Sequence, residues 1–172
     1  MRFIAIFFAI VIANLYAKIN IASFHSPFIQ TVINDQNRTL RYEGEVWFTK
    51  EPLRIKWIYK KPNYKEIYIN NQKVYIIEPD LEQVVVKRVQ KKDNFFTILD
   101  SAVLVKGKQY KAFYDGHDIF IDLKNGKISK VTYTDKLENK NSILFTHPQQ
   151  NIPLDDSNFT IEIKSDWDVI EE

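Results

Sequence analysis

The residues Leu53-Arg54-Ile55-Lys56-Trp57-Ile58-Tyr59 give the clearest indication of the fold. Every second side chain, starting at Leu53, is large and apolar, while Arg54 and Lys56 occupy the alternate positions. A period of two is typical of a β-strand that buries one face and exposes the other. The stretch therefore predicts a strand with an apolar face toward a core and a basic face toward water.

Similar short runs follow one another on both sides of this strand, separated by turn residues. Asp115-Gly116 and Asn125-Gly126 are the strongest hairpin signals, because two-residue hairpin turns favour Asp or Asn followed by Gly. About ten strands at this spacing predict a large curved antiparallel sheet or barrel. The further predicted strands cover residues 44–48, 64–69, 74–77, 83–89, 109–114, 119–123, 128–134, 143–146 and 159–163.

Helix is scarce in the predicted fold. Residues 21–33 are expected to open with a short helix interrupted near Pro27. In residues 94–103, Phe95, Ile98, Leu99 and Ala102 recur at helical spacing behind a possible Asn94 cap. The predicted fold class is mainly β, with one or two covering helices.

The first 17 residues are typical of an export signal. Met1-Arg2 carries a positive charge, residues 3–13 are all apolar, and Ala17 supplies a small residue for cleavage. A transmembrane anchor is the alternative, but the run is shorter than the roughly 18 to 20 residues that a spanning helix needs. We predict a signal peptide at 1–17 and a single domain at 18–172.

Composition excludes several classes of function. The chain has 172 residues, a net charge of +2 with interspersed signs, and no cysteine. Nucleic-acid binding is not expected without a basic stripe or block. A chain without cysteine has no thiolate metal site and no cysteine that could itself be lipidated.

No catalytic or metal motif stands out. His25, His117 and His147 lie in separate segments without metal-ligand spacing, and no nucleophile elbow or phosphate-binding glycine loop is present. Asp155-Asp156 and Glu171-Glu172 are adjacent acids, which are more often solvated than catalytic. We predict no catalytic residues, no metal, no cofactor and no enzyme activity.

Several motifs resemble the LolA family of periplasmic outer-membrane lipoprotein carriers. Ser23-Phe24-His25 with Phe28-Ile29-Gln30-Thr31-Val32 is similar to the family's S-F-x-A-x-F-x-Q-x-V opening. The other matching motifs are Gly44-Glu45-Val46-Trp47-Phe48, Pro52 and Trp57 with Pro62, and Glu78-Pro79-Asp80-Leu81-Glu82-Gln83-Val84. They cover about residues 23–89, and the later part matches by strand pattern only.

The resemblance implies an incomplete antiparallel β-barrel with a short helical lid over a hydrophobic cavity. It also implies a monomeric carrier in the periplasm that accepts lipoproteins from an inner-membrane ABC transporter of the LolCDE type. The carrier would shield their acyl chains and deliver them to an outer-membrane receptor, LolB or an equivalent. A lipid- or lipoprotein-sensing module of related fold, and a small enzyme acting on an apolar substrate, are the alternative functions.

Two departures from the family pattern concern the lid. Only residues 18–22 separate the predicted signal peptide from the Ser23-Phe24 motif, so the usual amphipathic N-terminal helix is shortened. Where the family has K-R-P with a lid-holding arginine, this chain has Lys50-Glu51-Pro52, and Lys50 is the candidate substitute.

The predicted lipid-binding residues are the apolar side chains of the early strands and of the lid helix. Periodicity alone favours the solid core of a β-sandwich without a cavity; the family resemblance reverses this and favours a cavity. They are Val46, Phe48, Leu53, Ile55, Trp57, Tyr59, Ile67 and Ile69 from the sheet, and Phe95, Ile98 and Leu99 from the helix.

Overall fold

The computed structural model describes residues 18–88 and 95–172, with residues 95 and 96 described by backbone alone. The predicted signal peptide and the possible Asn94 cap lie outside the described residues. Within the described ranges, no helix has the length and apolar character to cross a membrane.

The described chain forms one sheet of thirteen strands. Twelve of them run in the order β13-β6-β5-β4-β3-β2-β1-β11-β10-β9-β8-β7, and β12 pairs with β1 beside this path. All pairs are antiparallel except β13 with β6. The strands are β1 (Ser23–Ile33), β2 (Thr39–Thr49), β3 (Arg54–Lys61), β4 (Lys65–Asn70), β5 (Lys73–Glu78), β6 (Gln83–Arg88), β7 (Val103–Lys106), β8 (Gln109–Tyr114), β9 (His117–Lys124), β10 (Lys127–Thr134), β11 (Lys140–Phe145), β12 (Gln149–Gln150) and β13 (Asp168–Glu171).

The helix predicted near residues 21–33 is wrong, since Ser23–Ile33 is the central strand β1. Pro27 lacks the amide hydrogen that a central strand needs. Its carbonyl accepts from Thr146 N at 3.1 Å, just after β11 ends at Phe145 and before β12 begins at Gln149. The backbone N and C=O of a strand residue point to the same side. The N of Pro27, which has no hydrogen to donate, therefore faces the break between β11 and β12, where no ladder partner is needed. The ladder therefore tolerates the proline.

The strand predicted at 159–163 is also wrong. Asp156–Phe159 forms a 3₁₀ turn, and the residues after it form no strand until β13. Ile161 and Trp167 pack against a cluster of Tyr68, Ile77 and Val84 on the outer face of β4–β6. The apolar side chains of this segment thus cover the sheet from outside, without joining its ladder.

The predicted lid helix is confirmed as α1 (Phe95–Ser101). Leu99 and Ala102 are buried in the main core cluster, while Ile98 is half-buried at its margin. The segment before β1 is not helical, and its Ile19 and Ile21 are buried in the same cluster.

The sheet is strongly curved. Trp57 of β3 and Ile119 of β9 line one cavity although five strand steps separate them in the sheet order. In a flat sheet five steps of about 4.8 Å would hold them roughly 24 Å apart. The sheet therefore curls so that the inward faces of its two halves oppose each other, and the predicted open, curved architecture is confirmed.

Gly44 is required where β1 and β3 leave no room for a side chain on β2. It lies opposite Phe28 in the β1–β2 register, at an irregularity in the β2–β3 pairing. A Cβ at Gly44 would overlap the backbone oxygen of Ile58 and lie 2.7 Å from Cζ of Phe28. The Phe28 ring fills the space that a side chain would need.

We expect Gly44→Ala to lower the free energy of unfolding by at least about 2 kcal/mol, because the backbone of β3 must move to admit the methyl group. Urea denaturation measures the change. Gly107→Ala is the matched control, since nothing lies within 4 Å of its Cβ position and only its positive φ of 58° is penalised, by roughly 1 kcal/mol. Equal losses in the two variants would contradict the steric role of Gly44.

Candidate functional site

An open cavity of about 660 Å³ lies on the concave side of the sheet, beside α1. This volume falls within the usual range for small-molecule sites. The wall is built by β3, α1 and the strands β8–β11 with their turns. Its residues are Trp57, Ile98, Tyr114, Asp115, His117, Ile119, Val131, Tyr133, Thr134, Asp135, Lys136, Leu137, Ile143 and Phe145.

The apolar and polar parts of the wall are separated. Ile119, Val131, Ile143 and Phe145 are buried side chains of β9–β11. The charged residues come from the turns β8–β9 and β10–β11, where Lys136 Nζ and Asp115 Oδ2 form an ion pair at 2.7 Å. The cavity thus has an apolar interior and a polar end at the two turns.

The structure places the predicted lipid-binding residues on this concave face but not all in the cavity. Trp57 and Ile98 line it. Ile67 lies opposite Trp57 in the β3–β4 register and is half-buried. Val46, Phe48, Ile55 and Leu99 are buried in the concave core, Leu53, Tyr59 and Ile69 pack against it, and the side chain of Phe95 lies outside the described residues.

Sequence reasoning missed the part of the wall that β9–β11 contribute. Ile119, Val131 and Ile143 show the same two-residue alternation as the early strands. What the pattern does not reveal is that β1 pairs with β11, Phe28 opposite Phe145. This long-range pairing brings the late strands around to face Trp57.

The helix α1 is fastened to the sheet by an ion pair. Lys50 Nζ, in the turn after β2, lies 2.9 Å from both carboxylate oxygens of Asp100 in α1. Glu51, which occupies the family's arginine position, is exposed. Lys50 therefore holds the helix that carries Ile98 and Leu99.

A row of hydrogen-bonded polar side chains crosses the concave face near the polar end. Tyr59 donates its hydroxyl to Gln30 Oε1 at 3.1 Å, and Gln30 Nε2 donates to Asn141 Oδ1 at 3.1 Å. Asn141 Nδ2 donates in turn to Asp135 Oδ2 at 3.2 Å. Gln30 and Asn141 are buried, so these bonds offset the cost of placing amides on an apolar face. The row ends at a carboxylate in the cavity wall.

The surroundings of Tyr133 and Asp135 at the polar end determine the protonation states of these two side chains. Burial, and to a lesser extent the Asp135 carboxylate, raise the pKa of Tyr133. Partial burial alone would raise the pKa of Asp135, but hydrogen bonds from Asn139, Leu137 and Asn141 outweigh it and lower that pKa. Near neutral pH Tyr133 is a neutral donor and Asp135 is an anion.

Within the part of the chain that the structure describes, no group of three or more His, Asp or Glu side chains is arranged to hold a metal ion.

A curved open sheet with an apolar cavity beside a helix is the geometry of a protein class that accommodates apolar ligands. The family model described as "Outer membrane lipoprotein carrier protein LolA" matches residues 20–113. The chain belongs to the LolA family.

Relatives across the whole chain support this assignment. The chain is 32% identical to an outer-membrane lipoprotein carrier protein of Campylobacter jejuni, over 95% of both chains. It is 34% identical to the protein of the same name in Wolinella succinogenes, over 88% of both chains. Among solved structures, an uncharacterized conserved protein of Thermus thermophilus has a TM-score of 0.57 at 12% identity, covering 90% of this chain and 93% of its own. That structure is similar in fold alone.

We expect Lys50→Ala to increase hydrogen exchange of the α1 amides by about two- to fivefold, because an exposed ion pair with close contacts contributes roughly 0.4 to 1 kcal/mol. Exchange followed by mass spectrometry on the peptide containing Ile98 measures the effect. Lys61→Ala, which removes a comparable exposed contact to Glu43 away from α1, is the control. Unchanged exchange in Lys50→Ala, or the same increase in both variants, would show that Lys50 does not fasten the helix.

Proposed function

We propose that this chain is a periplasmic carrier that accepts lipoproteins, shields their acyl chains in the concave cavity and delivers them to the outer membrane. Residues 18–172 would form the carrier domain, and residues 1–17 the signal that exports it. The proposal rests on membership of the LolA family together with one observation, the open apolar cavity between Trp57, Ile98 and the strands β9–β11.

The energetics of acyl transfer call for such a cavity. Burial stabilises an acyl chain by about 0.8 kcal/mol per CH₂, so a chain of about 16 carbons that leaves a bilayer for water costs roughly 10 kcal/mol or more. The apolar interior of the cavity offers a chain an environment away from water. A chain that leaves the membrane into this cavity avoids most of that cost.

A carrier must release its cargo as well as bind it, and the contacts of the lid helix α1 would allow such release. Both side chains of the Lys50–Asp100 ion pair are partly exposed to solvent, so the pair contributes little to stability and breaks readily. Leu99 anchors one side of α1 in the core, while Ile98 meets the cavity. A small movement of α1 would therefore widen the cavity without unfolding the sheet.

The partners that we propose follow from the family. The cargo is an acylated lipoprotein, the donor is an inner-membrane ABC transporter of the LolCDE type, and the acceptor is LolB or an equivalent receptor. We infer that the carrier acts as a monomer and has no enzymatic activity. The names of the relatives, outer-membrane lipoprotein carrier proteins, support a transport role.

The function is tested on spheroplasts of the source bacterium supplied with the purified protein. A carrier is expected to appear in the supernatant in complex with triacylated lipoproteins, identified by mass spectrometry of the recovered complex. Absence of lipoproteins when the receptor is depleted and cargo accumulates would argue against transport.

We expect Ile98→Glu to weaken binding of a fluorescent acyl probe by at least about tenfold, because a charge beside the acyl chain must be desolvated. Ile98 is preferred to Ile55 or Leu99, which are buried and whose replacement by Glu would threaten folding. Fluorescence titration gives the affinity, and circular dichroism confirms the fold. The control is Leu40→Glu, which places the same charge at an exposed position of β2 that is not among the cavity-lining residues; equal losses in both variants would refute this site.

A further inference from the structure

Tyr133 and Asp135 stand close together in the wall of the cavity, where β10 ends at its polar turn. Every other wall residue of the same strand is apolar or a small hydroxyl, namely Val131 and Thr134. The two side chains therefore determine which polar group can accompany an apolar chain into the cavity.

Tyr133 offers a hydrogen-bond donor toward the cavity. Among the described residues its hydroxyl has no hydrogen-bond partner, and its raised pKa keeps it protonated. A ligand oxygen that accepts hydrogen bonds would satisfy this donor, which the described chain leaves unused.

Asp135 places a fixed negative charge in the same part of the wall. Its carboxylate accepts from Leu137 N and Asn139 N at 2.9 and 3.0 Å, and from the side-chain amides of Asn139 and Asn141 at 3.0 and 3.2 Å. These donors are all neutral, and no Lys, Arg or His of the described chain forms an ion pair with it. Asp115, by contrast, is neutralised by Lys136. The charged groups of the wall therefore sum to one negative charge when His117 is neutral.

We propose that the polar end selects acyl chains joined through a neutral ester or amide and rejects free fatty acids. A carbonyl oxygen accepts from the Tyr133 hydroxyl without penalty, whereas a fatty-acid carboxylate that accepts the same bond is repelled by Asp135. This inference rests on the proposed carrier function and deepens it, because the acyl groups of a lipoprotein are linked by esters and an amide. It also fixes the orientation of the ligand, with the carbonyl at the turns and the methyl end toward Phe145.

The selection has a physical purpose in a membrane-bounded compartment. Free fatty acids and acylated proteins share the same hydrocarbon chain, so an apolar cavity alone cannot tell them apart. The linkage is the part of the ligand that differs, and a charge near it discriminates without lowering affinity for the chain. The carrier would thus stay available for its cargo.

The test compares laurate with methyl laurate at pH 8, each displacing Nile red from the purified full-length protein. The quantity of interest is the ratio of ester affinity to acid affinity, since the ester partitions better into any apolar site. We expect Asp135→Asn to lower this ratio by roughly three- to tenfold relative to the wild type, mainly by improving laurate binding. Asp118→Asn, which alters a carboxylate paired with Lys111 and not among the lining residues, should leave the ratio unchanged.

A second variant keeps the inference testable if Asp135→Asn perturbs its turn. Tyr133→Phe should weaken methyl laurate several-fold and leave displacement by dodecane unchanged, because only the hydroxyl is lost. Tyr75→Phe on the outer face is its control. The selection alone is overturned if the ligands bind, Asp135→Asn leaves the ester-to-acid affinity ratio unchanged and Tyr133→Phe leaves the affinity of methyl laurate relative to dodecane unchanged. A wild type that binds neither laurate, methyl laurate nor Nile red would overturn the carrier function itself.

Discussion

A single sheet that is apolar on one face must cover that face, and in this protein the sheet does so largely by curling onto itself. The curl brings β3 opposite β9, and Gly44 together with the irregular β2–β3 pairing permits it. Where the inward side chains meet, they form a packed core; where they do not, the gap is the cavity. Core and cavity are thus two parts of one surface, separated only by how closely the opposing strands approach.

Much of the fold follows from local sequence, because strand alternation and turn dipeptides are local signals. The run around Trp57, the hairpins at Asp115 and Asn125, and α1 all appear where the pattern places them. The two wrong elements, the helix near residues 21–33 and the strand at 159–163, arose where contacts with residues distant in the chain determine the secondary structure. Pro27 suits a central strand only because β11 and β12 leave a gap beside it, and residues 159–163 lack a strand partner because they pack on the outer face.

The candidate site was predictable as a face but not as a cavity. Periodicity identifies Val46, Ile55 and Trp57 as inward-facing, but it does not say which inward side chains meet a neighbour and which meet open space. The structure shows that Val46 and Ile55 are packed while Trp57 borders the gap. The polar side chains of the wall were missed for a related reason. In the sequence, Tyr133 and Asp135 have the pattern of an ordinary strand end and turn, and only the curvature of the sheet places them in the wall of a cavity.

The central position of β1 has a consequence for how the molecule acquires its shape. β1 pairs with β2 across a short turn, but its other neighbour, β11, lies more than a hundred residues further along the chain. Pairings of such high sequence separation form slowly, since loop closure must precede them. During synthesis the first half of the sheet therefore exists before its opposing wall. In that interval the apolar face of the first half is uncovered, so the unfinished chain is open to aggregation until the late strands cover it.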